Sequence, residues 1–360
     1  MDVSFQRTDV NFLAGLRKQV NGYFKERNIS QAGDSRLIWK SLIILSVFCV
    51  LYYLPLGGFD FPVWGLALIY GIQGIMLSLI GFNIMHDGSH DSFSEKSSIN
   101  RLAALSLNFL GGNALFWKQK HCQNHHTYTN IEMLDDDIDL KPFLRLHDGQ
   151  KSFGFHRFQH FYALPLYGLT YIFWIHYRDY KKYFSGKIAE ETVMPPLTRN
   201  EHLTFWLSKL LHLTVFIAIP VALIGWKVAI GGYLLMGVLC GFSLGVVFQL
   251  AHIVEGTTFQ SPSDMGKVNI ESEWAVYQIK TTVNFATKSR IATWFLGGLN
   301  FQMVHHLFPR ISHVHYPDVH RIILEYCEKN GVEVLEFPTF MQAMRSHLKQ
   351  LKMMGNMQAA

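Results

Sequence analysis

Long apolar runs set between polar stretches, with no sustained amphipathic period, organise this chain. Residues 37–57 (LIWKSLIILSVFCVLYYLPLG) and 62–85 (PVWGLALIYGIQGIMLSLIGFNIM) are each long enough, as helices, to cross the ~30 Å hydrocarbon core of a bilayer. A short turn around Gly57, Gly58 and Asp60 separates them, and a second pair, 203–226 and 228–251, is joined by the brief link Trp226 to Ala229. Two hairpins of spanning helices follow. Each returns the chain to the side it left, so the N-terminus, the stretch 86–202 and everything after 252 share one face.

Two moderately apolar stretches, 99–117 and 160–177, carry polar interruptions and are expected to be interfacial or re-entrant helices rather than further spans. A single extra crossing would move the tail to the other side. Turn signals at Ser261-Pro262-Ser263 and Pro309 precede a soluble helix near 317–330, and an amphipathic helix is expected from 338 onward. The predicted fold is an all-α integral membrane protein: a cytoplasmic N-terminal segment 1–36, a membrane domain 37–330 with four transmembrane helices, interfacial helices and a cytoplasmic helical cap, and a cytoplasmic tail 331–360.

Charge orients this arrangement. Arg7, Arg17, Lys18, Lys25, Arg27, Arg36 and Lys40 cluster at the first span while the first hairpin turn has no basic residue. Arg178, Lys181, Lys182 and Lys187 precede the second hairpin, whose turn holds Lys227 alone. The shared face, with both termini, is thus expected to be cytoplasmic. Net charge is +5, but the basic residues lie beside apolar runs instead of forming an aromatic-laced stripe, which favours membrane lipids and argues against nucleic acid. The first 36 residues are polar and lack the apolar core of a cleavable signal. Cys49, Cys122, Cys240 and Cys327 are far apart and form no CxxC pair, so neither a disulfide framework nor an iron–sulfur cluster is indicated.

The chemistry-bearing residues are histidines at the predicted cytoplasmic ends of the spans. His86-Asp-Gly-Ser-His90 places two imidazoles at i, i+4, on one face of a helix. His121-Cys-Gln-Asn-His125-His126 repeats that spacing and adds an adjacent ring, able to serve a different ion. Gln302-Met-Val-His305-His306 supplies a further adjacent pair, with a glutamine carbonyl three positions earlier. His252 ends the fourth predicted span much as His86 ends the second. One such pair is ordinarily structural, but three clusters on one face with ligand spacing point to metal, because buried imidazoles need partners. Imidazole suits zinc, copper, iron and nickel alike. Seven or eight histidines exceed one closed tetrahedral zinc site and fit two ions better.

Carboxylates beside the clusters, Asp87, Asp135 and Asp137, are candidates to accept a hydrogen bond from the second nitrogen of a ligating ring. His147, His156, His160, His176, His202, His212 and His347 show no ligand spacing and read as ordinary interfacial or surface residues.

HDGSH, HCQNHH and QMVHH resemble the three histidine boxes of the membrane fatty acid desaturases, the glutamine of the third being characteristic of the front-end branch. HHTYTN at 125–130, WFLGGLNFQMVHHLFP at 294–309 and HVHYP at 313–317 resemble the same branch. The resemblance covers about 40–330. It implies a di-iron centre held by His86, His90, His121, His125, His126, His252, His305 and His306, with Gln302 standing where other branches have a histidine; Asn130, His313, His315 and His320, near the clusters, are candidates for a supporting role. It also implies a reaction that takes O2 as co-substrate and two electrons, removes two hydrogens from adjacent methylenes of an acyl lipid or acyl-CoA, and releases water. No HPGG motif marks a fused cytochrome b5 domain, so electrons are expected from a separate donor, a ferredoxin or cytochrome b5.

A hydroxylase or ketolase of the same superfamily shares these boxes, and a membrane zinc hydrolase would use metal-bound water in place of O2. A metal transporter would need polar residues along its spans, and the predicted spans contain no carboxylate.

Overall fold

The computed structural model describes residues 1–6, 11–263 and 266–357, so Arg7 lies outside the described residues. In chain order the helices are α1 (Phe12–Arg27), α2 (Ser35–Leu56), α3 (Val63–Ser89), α4 (Ser97–Phe109), α5 (114–128), α6 (Gln159–Tyr167), α7 (170–185), α8 (Arg199–Ile224), α9 (Trp226–His252), α10 (Trp274–Thr281), α11 (Arg290–Phe295), α12 (Gln302–Leu307), α13 (Tyr316–Lys329) and α14 (Phe340–Asn356). Among the described residues, α2, α3, α8 and α9 are long and apolar enough to cross a membrane.

Local chemistry sets the ends of these spans. Asp34 caps α2 by accepting from the Arg36 amide at 2.9 Å, and Pro62 precedes α3, where a missing N–H costs nothing. A capping box in which Thr198 and Glu201 satisfy each other's amides starts α8 at Arg199, a turn before the predicted boundary. Gly225, at φ +80°, is the whole connection between α8 and α9. The predicted link Trp226 to Ala229 is instead the first turn of α9, because the left-handed glycine breaks the helix earlier.

α3 and α9 are the inner pair and α2 and α8 the outer, more exposed pair, with Trp39, Ile43 and Tyr53 exposed on one and Leu203, Leu207 and Leu210 on the other. Glycines bring the inner helices together: a Cβ on Gly74 would lie 2.3 Å from the Met236 carbonyl oxygen, and one on Gly232 would lie 2.4 Å from the Tyr70 ring. The opposite face of α9 carries Gly237, Gly241 and Gly245, against which α6 and α7 pack; a Cβ on Gly241 would sit 2.5 Å from the Gly168 carbonyl oxygen. Small residues four apart permit this approach where lipid offers no hydrophobic drive to associate. The 160–177 stretch, expected to lie along the membrane surface, is therefore held to the side of a span. The 99–117 stretch divides into α4 and α5 at Gly111, whose φ is +94°. α4 lies beneath the first histidine cluster, with Gly88 facing Ala103.

The all-α expectation is corrected by three two-stranded sheets: β1 (Asp2–Phe5) with β4 (Lys267–Ile270), β2 (Lys187–Ala189) with β3 (Thr192–Val193), and β5 (Asn284–Phe285) with β6 (Glu336–Phe337). Each pairs short extended segments whose backbone groups would otherwise be unpaired. β1 and β4 run parallel and tie the first residues to the segment beyond α9. α1 completes that join, burying Leu16, Val20 and Phe24 among Val304, Val319 and Ile323.

α14 docks through Ala343 and Leu351 onto Ala163 and Tyr167 of α6. The buried Arg145 guanidinium donates to the carbonyls of Asp148, Gln150, Met354 and Met357 at 2.5–3.0 Å, closing off the C-terminal end of α14. Surface placement fails for His147, His156, His212 and His347, all buried. His347 shows why: Nδ1 faces the Ile253 carbonyl at 2.6 Å and Nε2 the Tyr167 hydroxyl at 2.8 Å, so a neutral ring satisfies both neighbours.

Gly241→Leu is expected to force α7 off α9, lowering the thermal midpoint of the detergent-solubilised protein by several degrees through overpacking. Burial pushes the His347 imidazole down to about 4. The unfolded ring, near 6.5, takes up the extra proton first, so stability from this contact is complete above about pH 6.5 and declines as pH falls toward 4. Proteolysis of α14 should accelerate over that window in the wild type and change less in His347→Gln.

Candidate metal centre

Four segments converge where the inner spans end. The C-terminal end of α3 contributes His86, and His90 caps it; α5 contributes His121, His125 and His126; the last residue of α9 is His252; α12 contributes His305 and His306. All eight rings are buried. Two of the contributing helices are widened just before or across their histidines, by π-helical turns at Gly81–Met85 and Lys118–His125. Such turns recur at functional sites because they re-aim the side chains that follow.

The ligand atoms fall into compact sets. His86, His90, His121 and His305 form one, His125, His252 and His306 another, and His126 joins His305 and His306 between them; within each set the atoms lie within 4.8 Å of one another. The Nε2 of His305 stands 3.0 Å from that of His126 and 3.3 Å from that of His121. Two nitrogens bound ~2.1 Å from one ion at a right angle stand about 3 Å apart, so the spacing fits coordination. The adjacent rings His125/His126 and His305/His306 divide between sets, as the spacing in the sequence implies.

Four of the far nitrogens are anchored. His125 Nδ1 meets Asp135 at 2.9 Å, His252 Nδ1 the Thr281 carbonyl at 3.0 Å, His306 Nδ1 the Gln278 side-chain carbonyl at 2.8 Å, and His305 Nδ1 the Tyr316 hydroxyl at 3.3 Å. Donation from Nδ1 to an oxygen leaves the Nε2 lone pair outward-facing. Among the described residues the Nε2 atoms of His125, His252 and His306 have no hydrogen-bond partner. Buried, convergent, unpartnered lone pairs are costly unless a cation lies among them, so the donor set fits metal. Trp117, stacked on His121 at 4.4 Å, and Phe248, 5.3 Å from the rings of His125 and His252, screen the set from water.

Asp135 accepts, besides His125, the amides of Asn130 at 2.9 Å and Asp137 at 3.0 Å. Asp137 pairs with Lys120 and brings one oxygen to 3.8 Å from His121 Nδ1 and 3.7 Å from His125 Nδ1. Asp136 points the other way, to Arg178 at 2.6 Å and Lys182 at 2.7 Å. Burial works against its charge, and these cations nevertheless hold its carboxyl below the usual range. Asp87 approaches His86 Nδ1 at 3.8 Å and accepts from Ser312 at 2.8 Å and His313 Nδ1 at 3.0 Å.

The remaining candidates differ in place. Asn130, at φ +57°, donates to the carbonyls of His252 at 3.3 Å and Thr258 at 3.1 Å, coupling α9 to the Asp135 turn. Gln302 is buried, and its Oε1 has no partner among the described residues. His315 lies outside the cluster, with Nε2 on the Ala32 carbonyl at 3.1 Å and its ring edge-on to Phe24. His313, two residues earlier in the same HVHYP segment, takes the supporting place, and its Nε2 accepts from Lys40 at 3.2 Å. Lys40, counted among the basic residues before the first span, is therefore buried within α2. Gln278 and Thr281 carry no motif, and Tyr316 lies within HVHYP; their contacts to the rings come from tertiary folding.

The family model for fatty acid desaturases matches residues 72–338. The sn-1 linoleoyl-lipid 6-desaturase of Synechocystis sp. (strain ATCC 27184 / PCC 6803 / Kazusa) is 35% identical over 94% of this chain and 94% of its own length. That of Arthrospira platensis is 33% identical over 96% and 93%. An acyl-lipid (8-3)-desaturase of Physcomitrium patens is 32% identical, covering 96% of this chain and 72% of its own. With a match across most of its length, and its histidines gathered as the three boxes require, this chain belongs to the fatty acid desaturase family.

Proposed function

We propose that the chain is a front-end acyl-lipid desaturase that inserts a cis double bond between an existing double bond and the carboxyl end of an acyl chain, at a di-iron centre on the cytoplasmic side of the membrane. The observation that carries this reading is the pair of convergent, buried histidine sets, in which the Nε2 atoms of His86, His125, His252 and His306 have no partner among the described residues. The names of the relatives, sn-1 linoleoyl-lipid and acyl-lipid desaturases, support the substrate class and favour a lipid carrier over CoA.

His86, His90, His121 and His305 would hold one iron and His125, His252 and His306 the other, with His126 between them. When bound, the two irons supply the redox chemistry by which O2 is reduced. Overall, two hydrogens leave adjacent methylenes, and with two external electrons and two protons O2 becomes two waters. The protein's own part is positional. Asp135, Thr281, Gln278 and Tyr316 hold the rings in one tautomer and orientation, while Trp117 and Phe248 exclude water. Gln302 stands three residues before His305, and its free carbonyl oxygen is a candidate ligand or a hydrogen-bond acceptor beside the metal. The basic residues around the first and second hairpins support cytoplasmic placement and offer an attractive surface to an acidic donor, a ferredoxin or cytochrome b5.

Asp135→Asn should weaken iron binding by ~10- to 100-fold, measured by metal analysis against a chelator series, because the ring of His125 loses its charged acceptor. His252→Ala should lower iron content and abolish turnover while the protein stays in the membrane; full iron and full activity would remove His252 from the ligand set. Expression in a host whose lipids contain linoleoyl chains should yield a new double bond on the carboxyl side of the existing one, located by mass spectrometry. An added oxygen without a new double bond would instead identify a hydroxylase.

A further inference from the structure

Lys40 sits in the second turn of α2, inside a helix apolar enough to cross a membrane, and is only 7% exposed. A lysine near the end of such a helix can run its stem outward to head-group level, but this one turns inward. Its ammonium lies over the face of Trp294, 5.2 Å from the ring centre, and 3.2 Å from His313 Nε2. An ionisable side chain buried in a span of this kind has a specific partner and, as a rule, a task.

The partner sets a direction. An ammonium has three N–H donors and no acceptor, so it donates to His313 Nε2, and the proton of that ring sits on Nδ1. Nδ1 donates to Asp87 Oδ2 at 3.0 Å, beside Ser312 Oγ at 2.8 Å and the His313 amide at 3.3 Å. Three donors occupy one carboxylate oxygen and leave the other, Oδ1, facing His86. Oδ1 stands 3.8 Å from His86 Nδ1, and neither atom has a hydrogen-bond partner among the described residues. At that separation the carboxylate acts on the ring through its charge. It favours a proton on Nδ1 and a lone pair on Nε2, and His86 Nε2 is likewise unpartnered.

Without the lysine this direction is lost. A neutral His313 can then hold its proton on Nε2, which sets the Nδ1 lone pair against the Asp87 carboxylate at 3.0 Å. Lys40 also supplies, through the ring, the positive charge that a buried carboxylate needs. The backbone at His313 is held by other contacts: the Ser312 amide donates to the Gln31 carbonyl at 2.9 Å, and His315 packs edge-on to Phe24. Losing the lysine therefore disturbs the hydrogen-bond direction more than the fold. The other histidine set is independent of it, since His125 meets Asp135 directly and Asp135 is steadied by the amides of Asn130 and Asp137.

Resting on the metal-centre reading above, we propose that Lys40 is a positioning residue for one of the two metal sites, that of His86, His90, His121 and His305. From inside α2 it fixes the His313 tautomer, which holds Asp87 toward His86 and leaves His86 Nε2 to the metal. The outer helix thus sets the ligand strength of a site to which it contributes no ligand.

The test uses the full chain in lipid nanodiscs, loaded with ⁵⁷Fe and read by Mössbauer spectroscopy and chelator challenge. Lys40→Met should release one of two irons ~10- to 100-fold more readily, with one iron signal lost or altered and the other unchanged. Should Lys40→Met not fold, Lys40→Gln, one bond shorter and uncharged, is read in the same way. His313→Gln supplies the second arm, because its amide can donate to Asp87 whatever stands at position 40. In that background Lys40→Met should change iron release by less than twofold; a full additional loss, as expected of an independent structural role, overturns the proposal. Two irons held as in the wild type by folded Lys40→Met, or equal weakening of both, also overturns it while leaving the metal centre intact. A wild type that takes up no iron overturns the metal-centre reading and the role of Lys40 together.

Discussion

Eight imidazoles taken out of water impose the constraint around which the rest of this fold is arranged. A buried ring needs a partner on each nitrogen, and a ring meant for metal must keep one nitrogen bare. Its other nitrogen therefore has to be satisfied by the protein. His125 turns to the aspartate loop after α5, His252 and His306 to α10, and His305 to the start of α13. These supports come from outside the spans. The polar part of the chain is thus a set of clamps, and the sheets and α1 are what hold the clamps in register.

The clamps would be useless if the spans could slide. In lipid the apolar surfaces of helices gain little from meeting each other, so close steric fit has to do what hydrophobic burial does in water. α9 solves this with glycine on two faces: Gly232 receives Tyr70 of α3, and Gly237, Gly241 and Gly245 receive α6 and α7. Its end, His252, is consequently fixed against both His125 and His306, at ring separations of 4.7 and 4.9 Å. Membrane packing and metal geometry are the same problem seen at two ends of one helix.

The parts of this arrangement legible in the sequence are those governed by one local rule. Span length and hydropathy located α2, α3, α8 and α9, and i, i+4 and adjacent spacings picked out the three histidine clusters, with His252 found by its place at the end of a span. Boundaries went astray where a single backbone feature decided them, the capping box at Thr198 and the left-handed Gly225. Supporting residues were least legible, because their partners are remote. Nothing in HVHYP says that His313 faces Asp87 while His315 faces Ala32, since the choice depends on the N-terminal segment that folds over them. Lys40 likewise looks like one more flanking charge until His313 and Trp294 surround it. Gln278 and Thr281 show no pattern at all, though they orient two rings.

The π-helical turns explain a subtler limit. One extra residue in a turn rotates everything after it by ~100° relative to what precedes. A helical wheel drawn through 62–85 and continued to His86 and His90 therefore assigns the histidines to the wrong face of α3, because Gly81–Met85 intervenes. The same turn diverts backbone carbonyls, and Asn83 responds by donating to Leu79 at 2.8 Å and to Phe295 at 3.3 Å. The irregularity thus does two things at once. It aims His86 at His305, with ring centres 4.4 Å apart, and it ties α11 to the span that carries the first histidine cluster. A regular α-helix through this region would offer neither, which is why the strain of a widened turn is retained beside the metal centre.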